Sequence, residues 1–262
     1  MATTASQLRE RRLGETLRRD TWWAGPAATA GVLLAFAVYG FWAAAQNANY
    51  EWGPYHSPFY SPLIKASWWP YSPAFLVLLA PLGFRATCYY FRKAYYRAFF
   101  LDPAACSVGE ARHGYKGETG FFTFQNLHRF FLYLALILVA VHLYDSVRAM
   151  IWPASGVGPD GHALPGPKRF GVGVGSLVML ADLVLLSGYV FGCHAFRHMV
   201  GGGVDCFSCA RAGGTRFKAW SLSSILNRYH MQWAWISLIW VALTDVYIRL
   251  CASGVIADVR LI

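Results

Sequence analysis

The run Cys193-His194-Ala195-Phe196-Arg197-His198 is followed at short distance by Cys206-Phe207-Ser208-Cys209. On a helix, His194 and His198 stand i, i+4, so both imidazoles face the same way and can grip one metal ion. Cys206 and Cys209 have the Cys-x-x-Cys spacing that sets two thiolates on one ion. Between the pairs, Gly201-Gly202-Gly203 lets the chain fold back sharply. Two His and two Cys suit a tetrahedral zinc site. They equally suit a Rieske-type 2Fe–2S cluster, in which two imidazoles replace two thiolates on one iron. The competing reading is that these groups only cap helix ends and hydrogen-bond at a membrane interface.

A second constellation draws on four different apolar stretches. Cys88, His128, Cys193 and His230 fall at similar depth in them, and a helical bundle can surround one cofactor with such residues. His128 and His230 could instead ligate a b-type haem. A second haem is not expected, because His142 has no evident intramembrane histidine partner in the outer half, where it lies. Interhelical hydrogen bonding is the plain alternative for any one of these histidines. A third feature is Gln125-Asn126-Leu127-His128-Arg129, echoed by Asn227-Arg228-Tyr229-His230-Met231-Gln232-Trp233. A quinone needs donors for its carbonyl oxygens and a flat apolar wall for its ring, with a titratable neighbour to supply protons. Gln125, His128, Arg129, Arg228 and His230 are the candidates, against simple snorkelling of the arginines at helix ends. Asp145, Asp182 and Asp245 also lie in or near apolar stretches, where a proton path or a structural hydrogen bond would explain them.

The elements that must position these residues are apolar helices. Spans are expected at about 26–46, 70–91, 121–147, 173–193 and 225–250, each exceeding the ~18–20 residues that cross ~30 Å of hydrocarbon. Hydrophobic residues make up 56% of the chain and charged residues 14%, low charge for a soluble protein. The expected fold is an all-α integral membrane bundle of five transmembrane helices over 21–262, after a basic arm at 1–20, with no room for a separate soluble domain. The net charge of +10 is unevenly spread. Basic residues crowd the N-terminal arm and the segments after the second and fourth spans, whereas the two opposite connections carry only Lys65, Arg148, Lys168 and Arg169. The positive-inside rule then places the N-terminus in the cytoplasm and the C-terminus outside. These charges mark topology and lipid contact, not nucleic acid. No cleavable signal peptide or internal repeat is expected, and the Gly/Pro-rich stretch from Pro153 to Lys168 should be irregular.

Three runs carry a family resemblance. Thr87-Cys88-Tyr89-Tyr90-Phe91-Arg92-Lys93-Ala94-Tyr95-Tyr96-Arg97, Gly192-Cys193-His194-Ala195-Phe196-Arg197-His198, and Asp245-Val246-Tyr247-Ile248 with Ala252-Ser253-Gly254 resemble the five-helix membrane anchor of actinobacterial-type succinate dehydrogenase. The resemblance extends from the second span to the C-terminus, and more loosely to anchors of respiratory complex II. It implies a plasma-membrane subunit that docks an FAD flavoprotein and an iron–sulfur subunit on its cytoplasmic face, with room for a higher oligomer. It further implies electron delivery through a membrane-embedded Rieske-type cluster to menaquinone or ubiquinone, without dehydrogenase activity of its own. His128-Arg129 matches a pair that borders the quinone pocket. Phe191 stands where an intrahelical haem histidine is expected, which favours the cluster over haem. The rivals are a haem-b anchor of the same complex and a transporter-like protein with structural zinc.

Overall fold

The computed structural model describes residues 16, 18–99, 126–158, 161–202, 204 and 206–262. Gln125 of the proposed quinone set lies outside them, as does nearly all of the N-terminal arm. Eight helices are described: α1 (Ala24–Gln46), α2 (Ala74–Thr87), α3 (Tyr89–Phe99), α4 (His128–Arg148), α5 (Val174–Phe191), α6 (His194–Gly201), α7 (Gly213–Arg228) and α8 (His230–Ala252). Two antiparallel hairpins join them, β1 (Glu51–Trp52) with β2 (Tyr55–His56) and β3 (Ile151–Pro153) with β4 (Lys168–Phe170). Helices α1, α4, α5 and α8 are long and apolar enough to cross a membrane, and the chain is a multi-pass membrane protein.

The second expected span is a bent pair rather than one helix. Cys88 leaves helical geometry (φ −63°, ψ 128°), and α3 departs from α2 at 78°. The expected fifth span likewise joined two elements. Its first residues, Ile225 to Arg228, belong to α7, and Tyr229 (φ −108°, ψ 22°) separates that helix from α8. The fourth span stops at Phe191, so His194 and His198 sit on the separate helix α6. Apolar runs reveal where lipid-compatible sequence lies but not where a helix breaks inside it. The stretch from Pro153 to Lys168, expected to be irregular, is the connection between β3 and β4, and its described residues are irregular apart from a Val157–Ala163 bridge.

Both hairpins and the C-terminal tail gather at one end of the bundle. Asp258 clasps that end, accepting hydrogen bonds from Tyr55 Oη (2.8 Å), Tyr247 Oη (2.5 Å) and the Gly175 backbone N–H (2.9 Å). Arg260 lies 4.5 Å from the Trp152 ring centroid. The helices pack through small residues, as expected where no hydrophobic force separates helix from lipid. Helix α5 meets α8 so closely at Gly188 that an added Cβ would stand 2.6 Å from the Trp233 ring. Gly188→Val should therefore destabilise by about 1–3 kcal/mol through overpacking. Thermal unfolding in detergent checks this, and an unchanged midpoint would show that the contact yields freely.

Candidate functional site

The opposite end of the bundle holds a cavity of about 660 Å³ whose wall includes Cys88, His128, Cys193, His194, His198 and His230. Its two cysteines occupy helix breaks. Cys88 lies between α2 and α3. Cys193 lies between α5 and α6 in extended geometry (φ −69°, ψ 142°), where its Sγ accepts the Ala195 N–H at 3.4 Å. The two histidines open α4 and α8. Four helical termini thus converge, each supplying one donor.

The contacts are paired. His128 Nε2 is 3.0 Å from Cys193 Sγ, and His230 Nε2 is 3.8 Å from Cys88 Sγ. His128 Nδ1 lies 3.1 Å from Thr87 Oγ1, which leaves Nε2 facing the cysteine. The hydroxyl of Thr87 itself donates to the Gly83 carbonyl at 2.7 Å, the i−4 back-bond common for Thr in helices. Aromatic rings hold both imidazoles. Phe84 stacks on His128 with centroids 4.4 Å apart, Tyr189 stacks on His230 at 5.1 Å, and Phe84 meets Tyr189 edge-on at 5.4 Å. Behind them, the Arg85 guanidinium lies 4.6 Å from the Tyr189 centroid and donates to Ala234 O (3.0 Å) and Ser237 Oγ (2.9 Å).

The first candidate ligand set does not assemble. His194 and His198 do share one side of α6, their ring centroids 4.7 Å apart, and both line the cavity. Cys206 and Cys209 are joined to each other in a disulfide and form no part of the cavity wall. A reducing cytoplasm argues against a structural disulfide, yet these two cysteines are joined. The Cys-x-x-Cys turn brings the Cα atoms within 5.3 Å, inside disulfide range, and a disulfide presents no thiolate to a metal. Of the quinone candidates, His128, Arg129 and His230 line the cavity together with Asn126 and Asn227, whereas Arg228 is exposed and outside it. Asn227 Nδ2 is bonded to Gly192 O at 2.7 Å.

Sequence reasoning missed Phe84, Arg85, Thr87 and Tyr189 as members of the site. Arg85 is only 9% exposed, inside the bundle. Its signal was available: it falls on the apolar stretch three residues before Cys88, one helical turn away.

Among the described residues no three His, Cys, Asp or Glu side chains converge on a single metal ion. A mononuclear zinc site would need its donors about 2.0–2.3 Å from one point. The donors are instead two Cys and two His in two separate His–Cys contacts, around a cavity with ample room. That composition is the one a Rieske-type centre uses, with two irons to share the ligands. The residues present fit such a group.

Residues 24–254 match the protein family described as actinobacterial succinate dehydrogenase subunit SdhC. A chain of the solved structure "Mycobacterium smegmatis Sdh1 complex in the apo form" is 37% identical, with a TM-score of 0.78 and coverage of 100% of both chains. No curated protein sequence matches the chain.

Proposed function

Because this chain belongs to the actinobacterial SdhC family, and is thus a membrane anchor subunit of a succinate dehydrogenase complex, we propose that it relays electrons to a quinone through a Rieske-type 2Fe–2S cluster. Its ligands are Cys88, His128, Cys193 and His230. The single observation that carries this reading is the convergence of two His and two Cys from four helix termini on one cavity. Such a cluster, when bound, supplies one-electron transfer inside the low-dielectric bundle. The residues around it have defined tasks. Thr87 sets the tautomer of His128, Phe84 and Tyr189 hold the two rings in plane, and Arg85 places a fixed positive charge nearby. A neighbouring cation favours added electron density, so Arg85 would raise the tendency to accept an electron.

The cavity mouth supports the quinone half of the reading. Arg129 and the paired His194 and His198 stand at its wall beside Asn126 and Tyr133. They offer cationic, imidazole and amide groups next to an aromatic ring, the mixture a quinone head group requires. The unequal distribution of basic residues puts this end in the cytoplasm, with the bent α2–α3 pair completing five spans and the hairpin-capped end outside. The flavoprotein and iron–sulfur subunits then dock on the cavity side. The complex is a plasma-membrane assembly.

Low-temperature EPR of the dithionite-reduced, purified complex tests the proposal, with iron and haem assays on the same sample. The expected result is a Rieske-type signal without haem b. A haem spectrum in place of that signal would reassign His128 and His230 as haem ligands. Absence of both would leave direct transfer from the soluble partner to quinone.

A further inference from the structure

The connection between α6 and α7 carries Cys206 and Cys209, closed on each other in a disulfide. In the orientation proposed above this connection faces the cytoplasm, where a disulfide that does form is usually transient and redox-sensing. The two sulfurs are not equivalent. Cys209 is exposed and Cys206 half-buried. Cys206 Sγ accepts the Cys209 backbone N–H at 3.2 Å and lies 3.2 Å from Ser208 Oγ. A disulfide sulfur has no proton to give, so the Ser208 hydroxyl is the donor. Both donors favour negative charge on Cys206, and a sulfur so favoured is the better leaving group in thiol–disulfide exchange.

The disulfide turn is also tied to the cavity wall. Phe207, between the two cysteines, packs on Phe217 and Trp220 of α7, with ring centroids 5.4 and 6.0 Å away. Trp220 in turn receives the Arg197 guanidinium of α6 at 4.8 Å, and Gly201 of α6 fits so closely that an added Cβ would stand 2.3 Å from the Trp220 ring. Arg216 of α7 donates to Val200 O at 3.0 Å and to Gly202 O at 3.3 Å. On the far side of α6, His194, His198 and Met199 line the cavity, as does Gly202. A change in the turn therefore reaches the cavity through two neighbouring elements and one aromatic cluster.

We propose that Cys206 and Cys209 form a thiol–disulfide exchange site for a low-molecular-weight thiol, and that its state sets how firmly α6 is held against the cavity. A small thiolate attacks the exposed Cys209 Sγ, the S–S bond breaks, and Cys206 leaves as a thiolate. A second small thiolate attacks the mixed disulfide at the first one's sulfur and frees Cys209. Two small thiols end as one disulfide, the protein pair gains two electrons, and the two protons shed by the thiols settle on Cys206 and Cys209. Opening the turn loosens Phe207 from Trp220, and α6 with it. This inference rests on the orientation and the quinone site proposed above.

The test equilibrates the whole purified complex with reduced or oxidised glutathione, removes it, and counts free thiols on this chain by the gel shift of a polyethylene-glycol maleimide. Reduced glutathione should expose two further thiols and raise the KM for quinone about 5-fold, the low end for coupling between separate sites. Succinate oxidation with a water-soluble dye should not change, which shows that the complex is assembled. Cys206→Ser with Cys209→Ser should hold KM at the higher value in either buffer. Trp220→Ala should keep the two-thiol difference and lose the KM response. A pair that stays closed in reduced glutathione and opens only in dithiothreitol is a structural disulfide and would overturn the exchange site. Equal KM values in the two wild-type states would overturn the link to α6, as would a response to glutathione in the serine variant. A wild-type complex that reduces the dye but never quinone would sink the quinone reading, while the thiol count still decides the exchange site.

Discussion

Replacing His128 and His230 together by alanine is expected to abolish the Rieske-type EPR signal and to lower quinone reduction by more than about 100-fold. Changes that touch only the groups around metal ligands already cost about 10–100-fold in affinity or activity, so loss of two ligands must exceed that. The prediction follows from geometry. Each imidazole Nε2 faces a cysteine sulfur, at 3.0 Å for His128 and 3.8 Å for His230, and each ring is stacked against Phe84 or Tyr189. The contrasting variant is Cys206→Ser with Cys209→Ser. Those sulfurs are bonded to each other away from the cavity, so the signal should survive. The opposite pattern, with the signal kept in the histidine variant and lost in the serine variant, would return the ligand role to the Cys-x-x-Cys pair. Succinate oxidation with a soluble dye acceptor separates cluster loss from failed assembly.

The second large effect is expected at the buried ion pair of α8. Arg249→Leu should destabilise the bundle by about 3–5 kcal/mol, the cost of leaving one member of a buried pair without its counter-charge. Asp245 is 0% exposed and Arg249 7%. Arg249 Nε donates to Asp245 Oδ2 at 2.7 Å, while its two terminal nitrogens donate to Ala48 O and Ala43 O, each at 2.8 Å. Tyr39 Oη donates to Asp245 Oδ2 at 2.5 Å, and Ser57 donates to Oδ1. The arrangement answers a need of α1. That helix ends at Gln46, and its last-turn carbonyls have no partner within the helix. Arg249 and Tyr60, whose Oη lies 2.9 Å from Ala43 O and 3.0 Å from Ala44 O, supply the missing donors. Thermal unfolding of the complex in detergent measures the loss. The double variant Asp245→Asn with Arg249→Leu should recover part of it, because no lone buried charge remains. Equal destabilisation in both variants would show that the capping bonds, not the charge balance, dominate.

Much of this architecture was legible in the residues. The four long apolar helices lie where the hydropathy of the chain places them, since transfer of a segment into lipid depends on its own composition. The common depth of Cys88, His128, Cys193 and His230 was also readable, because depth along a span is a matter of counting from its end. So was the oddity of Asp182 inside a membrane helix, as an ionisable group there is costly whatever its neighbours.

What the sequence by itself determined is therefore segmental: which stretches enter the membrane, and how deep each polar residue sits. Only the tertiary structure decided which polar groups meet. It paired His128 with Cys193 and His230 with Cys88, drew Arg85 into the bundle, bent the second span at Cys88, and closed Cys206 on Cys209. The physical reason lies in the solvent. In water, an amphipathic stripe reveals which face of a helix turns inward. In lipid, nearly every face of α1 or α5 is apolar, so the rotation of each helix is set by close packing of residues such as Gly188 against Trp233. That rotation determines which donors share a cavity, and it belongs to pairs of helices rather than to any one stretch of chain.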